Sequence, residues 1–165
     1  MCKKYRAAVI TLSDKGFRGD REDTSGKWLV DELSNHGYEI VLYKILPDEQ
    51  KELEKVLCGL ADNEKCDLIL TTGGTGLSPR DRTSEATRSV IDYEVPGISE
   101  AIRAYSMTIT KRAMLSRAVS GIRKNTLIIN LPGSRKAVEE SFNYISDTLL
   151  HGLDIMTGAT SECGR

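Results

Sequence analysis

The densest run of groups able to do chemistry lies between Thr71 and Thr83. Gly73-Gly74-Thr75-Gly76 follows an apolar stretch directly, and glycines clustered there suit a tight turn with positive φ. Such a turn can aim several main-chain amides, with the Thr72 and Thr75 hydroxyls, at one point, which makes a binding place for phosphate. The same tetrapeptide also fits an ordinary glycine turn. Ser78-Pro79-Arg80-Asp81 follows, and phosphate chemistry needs a carboxylate for a metal and a cation for the oxygens. Arg80 taken alone reads equally well as a solvated surface arginine.

Other chemistries find less support. No GxxxxGK[ST] run is present, and Gly73 to Gly76 does not meet the GxGxxG dinucleotide pattern. His36 and His151 sit on separate segments without metal-site or triad clustering, so capping of helix ends is expected of both. Cys2, Cys58, Cys66 and Cys163 show no CxxC spacing. With no signal-peptide pattern, they read as reduced thiols of a cytoplasmic protein, Cys58 and Cys66 packing as small hydrophobes.

These groups need a scaffold, and the pattern of the chain supplies one. Ala7 to Leu12 is a nearly continuous apolar run, as a strand covered on both faces requires, and it stops at Ser13-Asp14. A polar loop to Ser25 leads into a helix with Leu29, Val30 and Leu33 on one face and Gly37 at its end. Tyr38 to Leu46 predicts a second strand, halted by Pro47 before Asp48-Glu49 opens a helix carrying Leu53, Val56, Leu57 and Leu60. Asp67 to Thr72 predicts the third strand, and Thr83 an N-cap for the helix after it. Pro96-Gly97 starts another helix. Ala113 to Asn125 reads as a substrate-side loop plus a short strand, and Thr126 to Asn130 as the next core strand, turned by Leu131-Pro132-Gly133. Val138, Phe142, Ile145, Leu149 and Leu153 mark a long amphipathic helix.

Alternating strands and helices predict an α/β fold: a doubly wound, mostly parallel sheet with helices on both faces. One domain over residues 1–158 is expected, with 159–165 a frayed tail. Ligands on such sheets bind at the carboxyl ends of strands. Ser13-Asp14, Pro47-Asp48, Thr72 to Gly76 and Leu131 to Gly133 all fall at such ends, so a shared rim is expected. At 165 residues, 39% hydrophobic and 28% charged, the chain is long and apolar enough for its own core. A net charge of −1 supplies no general field for nucleic acid or an anionic membrane, and no apolar run is long enough to span a bilayer. Anionic ligands must therefore be held by local groups.

The string Leu70-Thr71-Thr72-Gly73-Gly74-Thr75-Gly76, with Arg80-Asp81 and Thr83 behind it, resembles the signature of the molybdopterin-binding family of molybdenum cofactor synthesis. Leu46-Pro47-Asp48-Glu49, Pro96-Gly97, Ala113-Met114-Leu115-Ser116-Arg117 and Ile128-Ile129-Asn130-Leu131-Pro132-Gly133 match it in family order across most of the chain. Pro47-Asp48-Glu49 and the run Gly121 to Thr126 resemble the adenylyl-transferring branch. A sister branch, called the B protein of molybdenum cofactor biosynthesis, shares Gly-Gly-Thr-Gly and Met-Leu-Ser-Arg. Arg82 and Ser84 stand where valine and proline are common in the family.

The resemblance implies a homotrimer in which the terminal phosphate of molybdopterin attacks the α-phosphorus of ATP and pyrophosphate leaves. It implies magnesium, with Asp48 and Asp81 as catalytic and metal-holding carboxylates. Ser13, Asp14, Thr72, Gly73, Gly74, Thr75, Gly76, Ser116, Pro132 and Gly133 would bind the substrates, and a downstream molybdenum-insertion protein would receive the product. Read without the family, Asp48 and Asp81 also suit helix starts, and Ser116 a bond to local backbone. Arg117, Arg123 and Lys124 could complement anionic substrates or simply be solvated. The rival class is a non-catalytic molybdopterin carrier or scaffold, against which the two retained acids argue.

Overall fold

The computed structural model describes residues 4–159. Cys2, Cys163 and all but the first residue of the expected frayed tail lie outside the described residues. Six strands form one sheet: β1 (Arg6–Leu12), β2 (Glu39–Leu46), β3 (Leu68–Thr72), β4 (Tyr93–Glu94), β5 (Ser120–Arg123) and β6 (Thr126–Leu131), in the order β2-β1-β3-β6-β5-β4. The first four in that order run parallel, and β5 and β4 add an antiparallel edge. The six helices are α1 (Asp14–Phe17), α2 (Thr24–Asn35), α3 (Gln50–Asp62), α4 (Thr83–Val90), α5 (Pro96–Ile109) and α6 (Arg135–Met156). A turn of 3-10 helix covers Lys111–Leu115.

Alternation along the strands divides the core into two layers. Ala7, Val9, Leu68, Leu70, Leu127 and Ile129 face α2, α5 and α6, where Leu29, Leu33, Ile102, Phe142 and Leu149 meet them. Ala8, Ile10, Ile69 and Ile128 face Leu53, Leu57 and Leu60 of α3 and Ala86 and Val90 of α4. Because β1, β3 and β6 are buried on both sides, their sequences read as largely apolar runs. The doubly wound α/β expectation therefore holds.

Several local expectations change. The polar loop after β1 contains the one-turn helix α1, for which Ser13 is the N-cap, its Oγ accepting from the Gly16 amide at 3.0 Å. Thr83 is not an N-cap: Arg82 holds that position without a side-chain cap bond, and the Thr83 hydroxyl donates to Gly73 O at 2.8 Å. The helix expected from Asp48-Glu49 begins at Gln50, leaving Asp48 in the loop. His36 does end α2, but His151 lies inside α6. Gly37 fits its expected place, with φ +84 just beyond the helix.

A buried polar knot joins β3 and β6 to α4. Asn130 Nδ2 donates to the Thr71 and Thr87 hydroxyls, both at 2.9 Å, and its Oδ1 accepts from Val119 N at 3.1 Å. Asn130 is completely buried, and losing a buried partner costs more than the bond itself contributes. Asn130→Leu is expected to lower stability by about 3 kcal/mol and Tm by roughly 6–12 °C. Thermal melting followed by circular dichroism checks this, and an unchanged Tm would show the knot to be dispensable.

Candidate functional site

Parallel pairing sets the rim. Leu12 pairs with Leu46, Thr11 with Thr72, and Thr72 with Leu131, so four strands end side by side. The segments that leave them, beginning at Ser13, Pro47, Gly73 and Pro132, therefore emerge as neighbours.

The glycine loop is compressed among these segments. Gly73 has φ +93 and Gly74 φ +68, conformations costly for any residue with a Cβ. Added Cβ atoms would meet Leu12 O at 2.4 Å from Gly73 and Thr83 Oγ1 at 2.2 Å from Gly74. One on Gly133 would come to 3.2 Å from Gly73 Cα. Thr72 Oγ1 donates to Pro132 O at 2.6 Å, so the two turns are bonded as well as packed. That hydroxyl spends its proton on the fold, while Thr72 also lines a cavity beside the loop.

Carboxylates gather along one flank of the loop. The main-chain N–H of Asp14 donates to Asp48 Oδ2 at 3.1 Å, and that of Asp48 returns a bond to Asp14 Oδ1 at 3.0 Å. Asp48 Oδ1 lies 3.4 Å from a Cβ built on Gly74, and Asp81 Oδ2 lies 2.9 Å from one on Gly76. Arg80 grips Asp14 with Nε at 3.1 Å and Nη2 at 2.9 Å, and reaches Glu49 with Nη1 at 2.7 Å. It is thus an ion-pair partner rather than a free surface charge. The two neighbouring acids part company electrostatically. Arg80 holds the Asp14 carboxyl below its ordinary range, helped by the Asp48 amide. Burial pushes Asp48 upward, and the charges of Asp14 and Asp81 add to that.

Two cavities open on the other sides of the loop. One of about 460 Å³ is lined by Ser13, Thr72, Gly73 and Gly133, together with Arg21, Asp23, Thr24, Ser25 and Arg135. Another of about 280 Å³ is lined by Thr75, Gly76, Ser116 and Pro132, with Ile102, Arg103 and Arg112 among its other walls. The expected site residues are thus divided: Ser13 and Ser116 belong to different cavities, while Asp14, Asp48, Gly74 and Asp81 line neither. Asp23, Ser25 and Arg135 were missed by sequence reasoning. Asp23-Thr24-Ser25 ahead of Leu29 carries the N-cap signature that could have pointed there. Asp23 accepts from Thr11 Oγ1 at 2.6 Å, Tyr43 Oη at 2.7 Å and the Gly26 amide at 2.9 Å.

The basic residues are redistributed. Arg123 and Lys124 lie at the opposite end of the sheet, because β5 runs antiparallel to β6, and both pair with Asp62. They do not complement a ligand at this rim. Arg117 does reach the rim, but its guanidinium is taken up by Gly76 O, Asp81 O and Glu85.

A glycine loop with positive φ, carboxylates beside it and two cavities bordering it mark the candidate site. The family model described as "Probable molybdopterin binding domain" matches residues 8–151. The chain belongs to this molybdopterin-binding family. It is 38% identical over 156 residues to the molybdopterin adenylyltransferase of Escherichia coli (strain K12), covering 90% of this chain and 79% of that one. The Helicobacter pylori (strain ATCC 700392 / 26695) protein of the same name is also 38% identical, over 91% of this chain and 86% of the relative. Among solved structures, the molybdopterin biosynthesis enzyme MoaB of Thermus thermophilus superposes with a TM-score of 0.88 at 48% identity, covering 93% of this chain and 97% of that one. A MogA structure gives 0.86 at 35% identity, covering 92% and 99%.

The magnesium implied by the family resemblance can be tested against the donors present. Asp48 Oδ1 and Asp81 Oδ1 accept no protein hydrogen bond among the described residues, and they are hard oxygens on carboxylates beside the glycine turn. This fits magnesium, which commonly takes one or two carboxylates and completes its shell with water and substrate phosphate.

The raised Asp48 carboxyl has a stability consequence. A folded pKa above the ordinary value means the charged form is penalised in the native state. That penalty is absent below the ordinary carboxylate range and grows as pH rises through the folded value. Asp48→Asn removes it while an amide oxygen can still accept from Asp14 N. In chelator, the variant should melt above wild type near neutral pH, and the difference should vanish near pH ~3, where both forms are neutral. Melting curves across that range decide it, and a variant less stable at neutral pH would contradict the assignment.

Proposed function

We propose that this chain is a molybdopterin adenylyltransferase. An oxygen of the molybdopterin terminal phosphate forms a bond to the α-phosphorus of ATP, the bond from that phosphorus to the β-phosphate bridge breaks, and pyrophosphate leaves. The nucleophile is already an anion, so positioning and charge neutralisation matter more than proton removal. One observation carries the reading: two unequal cavities meet on a single glycine loop, and Asp48 and Asp81 stand against that loop. A carrier of one pterin has no need of the second cavity or of a carboxylate kept in an unfavourable environment.

Each residue has a part in this reading. The Gly74, Thr75 and Gly76 amides cradle phosphate where the cavities adjoin, the Gly73 amide being bonded to Leu131 O. Ser116, with Thr75 and Pro132, takes the molybdopterin phosphate side, while Ser13 and Gly133 line the larger cavity for the nucleotide. Asp14 bonded to Arg80 keeps the Asp48 loop in place. Magnesium, when bound, neutralises the triphosphate; Asp48 and Asp81 would hold it.

The 48% identity to the Thermus MoaB favours a second reading, membership of the sister branch. Purified protein with molybdopterin, ATP and magnesium, scored for pyrophosphate, decides between them: release supports the transferase, and none with authentic substrates leaves the sister branch or a carrier.

Further features belong to the same reading. The protein works in the cytoplasm and passes its product to a molybdenum-insertion protein. It assembles as a homotrimer, in keeping with the exposed apolar side chains Met107, Ile109, Met114 and Leu115. Sedimentation at micromolar concentration should give three times the chain mass, and a monomer would overturn the trimer.

Asp81→Asn is nearly isosteric and leaves an oxygen to accept from Ser78 N, a bond of 3.0 Å. The variant should still bind molybdopterin, yet release pyrophosphate on the order of 100-fold to 1000-fold more slowly, the usual loss of one electrostatic stabiliser. Full pyrophosphate release would remove Asp81 from the chemistry.

A further inference from the structure

Arg117 ties more of the rim together than any residue assigned to the reaction. Its Nε donates to Gly76 O at 2.8 Å and its Nη2 to Asp81 O at 2.7 Å. Nη1 bonds Glu85 in the first turn of α4, and Nη2 approaches the same carboxylate at 3.5 Å. The main chain of Arg117 closes the knot: its N–H donates to Thr75 O at 2.8 Å, and its carbonyl accepts from Ser84 Oγ at 2.6 Å. One side chain and its own peptide groups thus join the glycine loop, the Asp81 turn and the start of α4 to the segment carrying Ser116.

Apart from Arg80, which ties the Asp81 turn to Asp14 and Glu49, the turn has little other support. Asp81 N donates to Ser78 O and Ser78 N to the Asp81 carboxylate, but both bonds lie within the turn, and residues 77–80 are exposed. Against the loop, Asp81 Oδ2 stands only 2.9 Å from where a Gly76 Cβ would be, so small movements change what fits between them. Arg117 fixes this spacing from the side away from the carboxylate, through carbonyls of both Gly76 and Asp81.

We propose that Arg117 is a positioning residue: it sets the distance between the Asp81 carboxylate and the Ser116 side of the loop, and so between the two half-sites, without touching substrate. Its charge is met by Glu85, which it holds below the ordinary carboxylate range. Its donors are committed to carbonyls and that carboxylate. A planar fork can serve two carbonyls and a carboxylate at once, whereas a lysine ammonium on a flexible stem cannot hold all three in that geometry. In a displacement governed by placement, an error of about 1 Å costs on the order of 100-fold.

The inference rests on the adenylyl-transfer reading for its kinetic arm and not for its structural arm. Full-length Arg117→Lys is compared with wild type and with Arg123→Gln. Arg123 is an equally tethered arginine at the far end of the sheet, bonded to Asp62 and Val90 O. In Arg117→Lys, amide exchange measured by mass spectrometry should quicken in peptides covering residues 73–85 and not in β1 or α6. The kcat for pyrophosphate release should fall by about 10-fold to 100-fold with KM for ATP little changed. Arg123→Gln should lower Tm while leaving kcat and exchange over residues 73–85 as in wild type. Wild-type exchange and kcat in Arg117→Lys would overturn the proposal, as would an equal kcat loss in Arg123→Gln. A wild-type protein that releases no pyrophosphate would defeat the transferase reading alone, and the exchange comparison would still decide the role of Arg117.

Discussion

The close approach of Gly73 to the ends of β1 and β6 is the constraint on which the rim depends. A Cβ at Gly73 would sit 2.4 Å from Leu12 O, and one at Gly133 would press on Gly73 Cα at 3.2 Å. The Gly73 amide donates to Leu131 O, and its carbonyl accepts the Thr83 hydroxyl. Three strand ends and the start of α4 therefore meet at one residue that must lack a side chain. The positive φ of Gly73 and Gly74 follows from that crowding, because the chain has to turn back immediately to avoid Leu12.

Charge is organised around the same point. Arg80 and Arg117 sit on two sides of the Asp81 turn, yet neither guanidinium is left for a ligand: one is spent on Asp14 and Glu49, the other on Glu85 and two carbonyls. Asp14 is thereby compensated, while Asp48 is more buried and faces Asp14 and Asp81 as repelling neighbours. The structure thus holds one carboxylate stably ionised and another at some energetic cost, within a pair joined by reciprocal main-chain bonds. Placing an unfavourable carboxylate charge where a bound cation would relieve it is a familiar exchange of stability for function.

Much of this was legible in the residues. Ser13, Asp48, Gly73 and Pro132 could be assigned to strand ends because Ala7 to Leu12, Tyr38 to Leu46, Asp67 to Thr72 and Thr126 to Asn130 read as short apolar or β-branched strands. Strands of that kind, separated by amphipathic helices, admit few topologies, and all of them send the strand ends to one rim. Motif order then identified the family, since side-chain types and spacing are properties of the chain itself.

Tertiary structure alone decided how the rim is divided and where each charge goes. Nothing in the spacing of Ser13 and Ser116 says that they face different cavities, or that the Thr72 hydroxyl is consumed by Pro132 O. Arg117 and Arg123 are separated by only the short strand β5, yet one buttresses the loop and the other holds Asp62 at the far end. The antiparallel direction of β5, joined to β6 by only the two-residue turn Lys124-Asn125, sends them to opposite ends of the sheet. Period and motif are local quantities and survive in the sequence, whereas the partner of a long charged side chain depends on which distant segments the fold brings within its reach.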